Sequence, residues 1–235
     1  MNTPIARRDF LAGSLAAGTA ATLSSDTTEA KPRRKAAQEF YELRIYRCDS
    51  KDNQQLTLNH LEHALLPALR RSGASRTGTF TVISDKPDHS IHVLILYPTL
   101  DVLGTRNEKL AGDKKFHKAA KEFFAIPKNK PTYTRIETRL MKAFSGMPVV
   151  ELPASSKKKT ARMFELRIYE AHNEDKAARK VAMFNDGEID IMRDVNLGPV
   201  FFGETLVADD VPNLTYMLSA DNDPAHKDHW KAFLA

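Results

Sequence analysis

YELRIYR, Tyr41 to Arg47, returns almost unchanged as FELRIYE, Phe164 to Glu170. In each copy an aromatic residue, Leu and Ile alternate with Glu, Arg and Tyr. That period of two predicts a strand with both faces chemically defined. The segments C-terminal to the two copies are also similar. After the first come a helical stretch over 53–71, with Leu58, Leu61, Leu65 and Leu69 on one face, and Gly73 as its stop. RTGTFTVIS (76–84) and SIHVLILY (90–97) read as strands joined by the turn-rich DKPDH. A second helical region, 100–124, breaks near Gly112 and Asp113, and TYTRIETRLMKAF (132–144) alternates like a strand. After the second copy, 174–195 reads as a helix, 199–207 and 213–220 as strands, and 224–235 as the start of a helix. Pro67 and Gly187 interrupt the first helix of each copy, which predicts a kink in both.

The order strand, helix, strand, strand, helix, strand is that of a ferredoxin-like unit. Residues 40–144 form the first unit, 145–162 a basic linker and 163–235 a second unit. KAFLA (231–235) aligns with NEKLA (107–111), so the second unit has no counterpart of the strand at 132–144. The expectation is a chain shortened at its C-terminus, with the strand at Phe164 left without one neighbour.

The 235 residues suffice for a sizeable core, and 42% hydrophobic with 28% charged residues is ordinary globular composition. The net charge of +5 sits largely in KPRRK (31–35), KNK (128–130) and SSKKKT (155–160). These runs fall in expected loops and lack interleaved aromatics, so they read as solvated lysines, with no nucleic-acid partner. Cys48 is the sole cysteine, which excludes an intrachain disulfide and a multi-cysteine zinc site.

The first thirty residues differ in character. Arg7 and Arg8 are followed by Asp9, Phe10 and Leu11, then a weakly apolar Ala/Gly/Leu run to Leu23, and Thr28 and Ala30 supply the small residues a signal peptidase reads. This resembles a twin-arginine signal peptide over 1–30 and predicts export to a periplasmic or extracellular location. The run is too short for a spanning helix, which needs about 20 apolar residues. No cysteine follows it closely, so no stable membrane anchor is expected.

Several segments together resemble the NIPSNAP family: FELRIYE, VFFGETLV (200–207) and PNLTYML (212–218) in the second unit, and YELRIYR, HALLPALRRSG (63–73) and VLGTRNEKLAGD (102–113) in a more diverged first unit. The resemblance covers 40–235. It implies the dimeric α/β-barrel fold, in which two ferredoxin-like units pack sheet to sheet, so this α+β chain is expected to form a pseudo-dimeric α/β barrel by itself. It implies no agreed activity. Related barrel families include cofactor-independent monooxygenases and haem-handling enzymes, and fold analogy alone is a weak guide.

The alternation sets the candidate site. Tyr41, Leu43 and Ile45, like Phe164, Leu166 and Ile168, are expected to cover the helices. Glu42, Arg44 and Tyr46, with Glu165, Arg167 and Tyr169, are then expected inside the barrel, joined across strands by Tyr133, Arg135, Glu137 and Arg139. Two readings stay open. The polar set fixes strand register, or it lines a pocket whose arginines hold a small anionic or aromatic ligand. His92, in an apolar strand, is the candidate general base if it faces the interior. His60 and His63 stand three apart but lack a third ligand, so no metal site is assigned, and His226 and His229 are expected to be exposed. No P-loop, nucleophile elbow or dinucleotide fingerprint occurs, Gly104, Gly112 and Gly203 being isolated. No cofactor is implied. The preferred function is a small-molecule-binding or structural barrel module, with the homo-oligomer left open. The alternative is a cofactor-independent oxygenase or isomerase using His92 and Arg44 or Arg167.

Overall fold

The computed structural model describes residues 37–235 apart from 159 and 161, so the expected signal peptide lies outside the described residues. The first repeat runs β1 (Phe40–Arg47), α1 (Lys51–His60), a π-helical turn (Leu61–Leu65), α2 (Leu66–Ser72), β2 (Arg76–Thr81), β3 (Ile91–Tyr97), α3 (Leu100–Gly104), α4 (Arg106–Ala111), α5 (Lys114–Phe124) and β4 (Arg135–Ala143). After α6 (Ala154–Lys158) the second repeat runs β5 (Met163–Glu170), α7 (Glu174–Met183), a π-helical turn (Phe184–Glu188), α8 (Ile189–Asp194), β6 (Pro199–Val207), β7 (Asn213–Ala220) and α9 (Asp223–Phe233).

The repeat extends to the local devices. Ser50 Oγ caps α1 through the amide of Asn53 at 3.2 Å, and Asn173 Oδ1 caps α7 through that of Lys176 at 2.9 Å. Each helix then opens into a π turn at the matching place. In the first copy Pro67, which cannot donate, sits in the first turn of α2. In the second, Gly187 adopts φ 150, which favours glycine. A π turn therefore interrupts the helix in both copies, and the second also kinks, at Gly187.

The strands form one antiparallel sheet in the order β2-β3-β1-β4-β6-β7-β5. β4 and β6 join the two repeats through the pairs Met141 with Thr205 and Ala143 with Gly203. The sheet curls until its two end strands approach, the ring of Phe80 on β2 meeting that of Phe164 on β5 edge-on at 4.9 Å. Yet β2 and β5 do not pair, so the barrel stays open along that seam. Among the described residues the second repeat has no strand corresponding to β4.

Helices cover the outside of the sheet. Leu61, Leu65, Leu69 and Phe116 pack on Ile91, Val93 and Ile95 in the first repeat. Phe184, Ile189 and Met192 pack on Phe202, Leu214 and Leu218 in the second. The concave side is filled by Tyr41, Leu43, Leu94, Leu96, Met141, Phe201 and Met217, drawn from both repeats. Burying each such side chain is worth about 1.5–3 kcal/mol. The start of the 145–162 segment is packed rather than free. Met147 and Val150 are buried, Glu39 N donates to Pro148 O at 2.8 Å, and Glu151 N donates to Val200 O at 2.9 Å.

Candidate functional site

The two faces of the repeated strand are the reverse of the sequence expectation. Tyr41 and Leu43 belong to the concave core, with Phe164 and Leu166 packed against it. Glu42, Arg44 and Tyr46, and likewise Glu165, Arg167 and Tyr169, lie beneath the helices. Both faces of such a strand are covered, so alternation defines two sets without saying which looks inward. The helices decide it, because they bring polar partners. Arg44 Nε donates to Glu42 Oε1 at 2.8 Å. Tyr97 Oη donates to Glu42 Oε2 at 2.9 Å, and Arg106, from α4, bonds the same oxygen. Glu42 is only 4% exposed and fully engaged. Burial works against the Arg44 charge, but Glu42 beside it holds the guanidinium firmly protonated. Burial, reinforced by Glu42, pushes the Tyr97 hydroxyl up to about 12. Tyr46 stacks edge-on against Tyr133 at 5.3 Å.

The second repeat builds the same motif from different helix residues. Arg167 Nη1 reaches Glu165 Oε1 at 3.2 Å, while His226 Nε2 and Trp230 Nε1, both on α9, each lie 3.0 Å from Glu165 Oε2. Arg167 lies over the rings of Trp230 at 4.6 Å and Tyr169 at 5.4 Å. Tyr216 Oη donates to Tyr169 Oη at 3.0 Å. His226 is thus buried, against expectation, since it reaches inward to that carboxylate. Arg106, Tyr97, His226 and Trp230 were missed as partners because they lie far along the chain from the motif. Their only signal in sequence was that a buried Glu-Arg pair needs further donors.

The expected network from Glu42 and Arg44 to Arg135 and Glu137 does not form. In the observed register Leu43 faces Arg139 and Ile45 faces Glu137, so these charges share the concave face. A one-residue difference in register exchanges the faces. There Arg47 Nη2 donates to Glu137 Oε2 at 2.6 Å and Arg135 Nη2 lies 2.5 Å from Glu137 Oε1. The Arg47 hydrogen bond holds the Glu137 carboxyl below its usual range. Arg139 Nη2 donates to Asp210 Oδ2 at 2.7 Å and its Nη1 to Asn213 Oδ1 at 2.8 Å. Thr205 Oγ1 also donates to Asn213 Oδ1, at 2.6 Å.

A cavity of about 170 Å³ opens at this mouth, lined by Leu43, Ile45, Glu137, Thr138, Arg139, Ala208, Asp209 and Asp210. A second, of about 230 Å³, lies between α7 and the β6–β7 strands, lined among others by Glu174, Ala177, Glu204 and Pro212. His92 pairs with Ile45 and Phe80 and shares their concave face, as the base hypothesis requires. Burial, then the neighbouring Arg47, lowers its pKa and keeps it neutral near pH 7. It lines neither cavity. His60 instead stacks on Phe123 at 3.9 Å. Among the described residues no group of three or more His, Cys, Asp or Glu is placed to hold a metal, and no helix is long and apolar enough to cross a membrane.

No family model and no curated protein matches this sequence. Solved structures do. A proposed monooxygenase of Fusobacterium nucleatum superposes with a TM-score of 0.53 at 8% identity, over 85% of this chain and 84% of its own. One from Lactobacillus acidophilus gives 0.52 at 10% identity, over 84% and 86%. These two show the curled α+β fold. Several NIPSNAP-family structures are also similar, over 44 to 49% of this chain. One from Agrobacterium tumefaciens is 21% identical, with 90% of that chain covered and a TM-score of 0.34.

Proposed function

We propose that the chain is an exported, NIPSNAP-like module that binds a small molecule at the mouth of its barrel. The observation that carries this reading is the partition of the concave face. Apolar side chains fill its middle, and the remaining space is the recess of about 170 Å³ beside Arg139. Pockets for drug-sized ligands run to roughly 300–1,000 Å³. The recess therefore suits a compact ligand, and an anionic group on it would compete with Asp210 for the Arg139 guanidinium. The arginines of the repeated motif do not serve this role, because Glu42 and Glu165 engage them.

The test is native mass spectrometry of the purified chain against a panel of small carboxylates and phosphates, with Arg139→Ala as the matched variant. Retention of one compound by the parent, weakened at least about tenfold in the variant, supports the reading. Equal retention by both proteins moves the site elsewhere, and no retention leaves a structural module. Export is tested separately. Replacing Arg7 and Arg8 by Lys should leave the protein in the cytoplasm with residues 1–30 attached. Normal processing of that variant would remove the twin-arginine reading.

One observation favours an enzyme as the second reading: His92 is neutral and on the concave face, in a fold shared with two proposed monooxygenases. It ranks second because His92 reaches neither cavity. Turnover of any substrate that disappears in His92→Ala, with folding intact, would reverse the order.

A further inference from the structure

The open seam of the barrel has a definite chemistry. Ala171 N donates to Pro212 O on the β7 side, so by alternation the N–H and C=O groups of Phe164, Leu166, Ile168 and Glu170 point away from β7. Leu96 O accepts from Ser75 N, so Leu96, Leu94 and His92 turn toward β2, their partners Arg76, Gly78 and Phe80 face β3, and the N–H and C=O groups of Thr77, Thr79 and Thr81 point away from it. Among the described residues neither row has a strand partner. The equivalent row on β1 does. Arg47 O accepts from Thr134 N at 2.8 Å, and β4 pairs along the whole of β1. The cost of the missing neighbour shows in the side chains. The Glu42 side chain is 5% exposed and that of its counterpart Glu165 29%, while the Arg44 side chain is 13% and that of Arg167 33%. Ile168 is an exposed hydrophobic residue on this edge. Unpaired edges of this kind are templates for strand addition.

We infer that the β2–β5 seam is a docking slot for one extended segment donated by another polypeptide, which pairs antiparallel to β5 in the register that β4 takes on β1. The slot corresponds to the place that β4 takes beside β1, and the Phe80 and Phe164 rings meet across it. A second copy of this chain fits less well, because its own β5 is backed by β7 and cannot enter as a lone strand. The internal repeat also specifies charge. In the first repeat Arg47 binds Glu137 of β4. Position 170 is Glu where position 47 is Arg, so the donated segment must be basic at the place that Glu137 holds in β4. At the place that Met141 holds beside Tyr41 the donated segment is apolar, to pack beside Phe164.

The experiment uses the full chain with synthetic peptides. The probe is the segment 132–144 carrying Glu137→Lys, compared with the unchanged segment and a scrambled one. Fluorescence anisotropy should show the charge-reversed peptide binding at least about tenfold more tightly than the unchanged peptide. Glu170→Arg in the protein should invert that order. Hydrogen exchange should slow at the amides of Leu166, Ile168 and Thr79 when the peptide is bound. Leu166→Pro removes an outward N–H while leaving the β7 pairing in place, so it should abolish binding with the circular dichroism spectrum retained. If that variant does not fold, the Glu170→Arg inversion still decides. Absence of binding by either peptide, or equal binding of the scrambled one, would overturn the proposal. So would edge protection that depends on protein concentration and not on peptide, which would assign the seam to a second copy. None of these outcomes depends on the recess at Arg139.

Discussion

Arg106 and Arg167 each bind the glutamate of one copy of the motif, yet their removal should differ in cost. The Arg106 and Glu42 side chains are 14% and 5% exposed, whereas those of Arg167 and Glu165 are 33% and 29%. Stripping one partner from a buried pair costs about 3–5 kcal/mol, since an uncompensated charge is left behind. A solvent-reached pair is worth below about 1 kcal/mol. Urea unfolding should therefore place Arg106→Ala several kcal/mol below the parent and Arg167→Ala close to it. Equal costs would mean that the open seam does not admit water to the second motif. His60 gives the complementary pH test. Burial lowers its pKa to about 4, and the unfolded value is near 6.5. The unfolded chain then binds the extra proton. This contribution to stability is complete above about pH 6.5 and is lost as pH falls toward 4. His60→Phe preserves the stack on Phe123 and removes the titration. Its unfolding free energy should change less between pH 7 and 4 than that of the parent.

At the scale of elements, the sequence was most informative where one residue type has one physical use. Pro67 and Gly187 announced the two interruptions, and the alternation of FELRIYE announced a strand. The direction of each face was not legible. Tyr41 and Glu42 are both nearly inaccessible, and the choice between them was made by Arg106 and Tyr97, which no local pattern ties to Glu42. The position of His92 was legible only as a condition, its face being set by the pairing with Ile45. Register was equally hidden, because the partner of Leu43 depends on how β4 enters its pairing. Two glycines make this scale testable. Gly187 has open space around its Cβ position but φ 150, so Gly187→Ala should cost about 1–3 kcal/mol through backbone conformation alone. Gly203 has no such φ. A Cβ there would lie 2.9 Å from Met141 Cβ, at the junction of β4 and β6. Gly203→Ala should destabilise by pushing the repeats apart, and Met141→Gly, which removes that Cβ, should in the same chain leave no further loss from the Gly203→Ala change. Independent, additive effects in that double-mutant cycle would place the strain elsewhere.

At the scale of the molecule, the two repeats share one core rather than resting against each other. Tyr41 of the first repeat meets Phe201 of the second edge-on at 5.1 Å, and the concave cluster draws Leu43, Leu94 and Met141 from one side and Val200, Phe201 and Met217 from the other. The backbone joins them as well, through β4 and β6. A concave face with half its strands removed would expose this whole apolar set. Neither repeat then has a complete core, although each has its own helix layer. The expectation is a single cooperative transition for the described region, with near-ultraviolet circular dichroism and amide exchange reporting the same midpoint. Tyr41→Ala should lower that midpoint by a cost in the range of about 3–5 kcal/mol for losing a buried aromatic. The loss should appear equally in amides of β3 and of β7, on opposite sides of the junction. The Tyr41 hydroxyl is buried without a hydrogen-bond partner among the described residues, so Tyr41→Phe should be neutral or stabilising. Two resolved transitions, or a Tyr41→Ala loss confined to the first repeat, would show that the tandem units fold as separate bodies that merely adjoin.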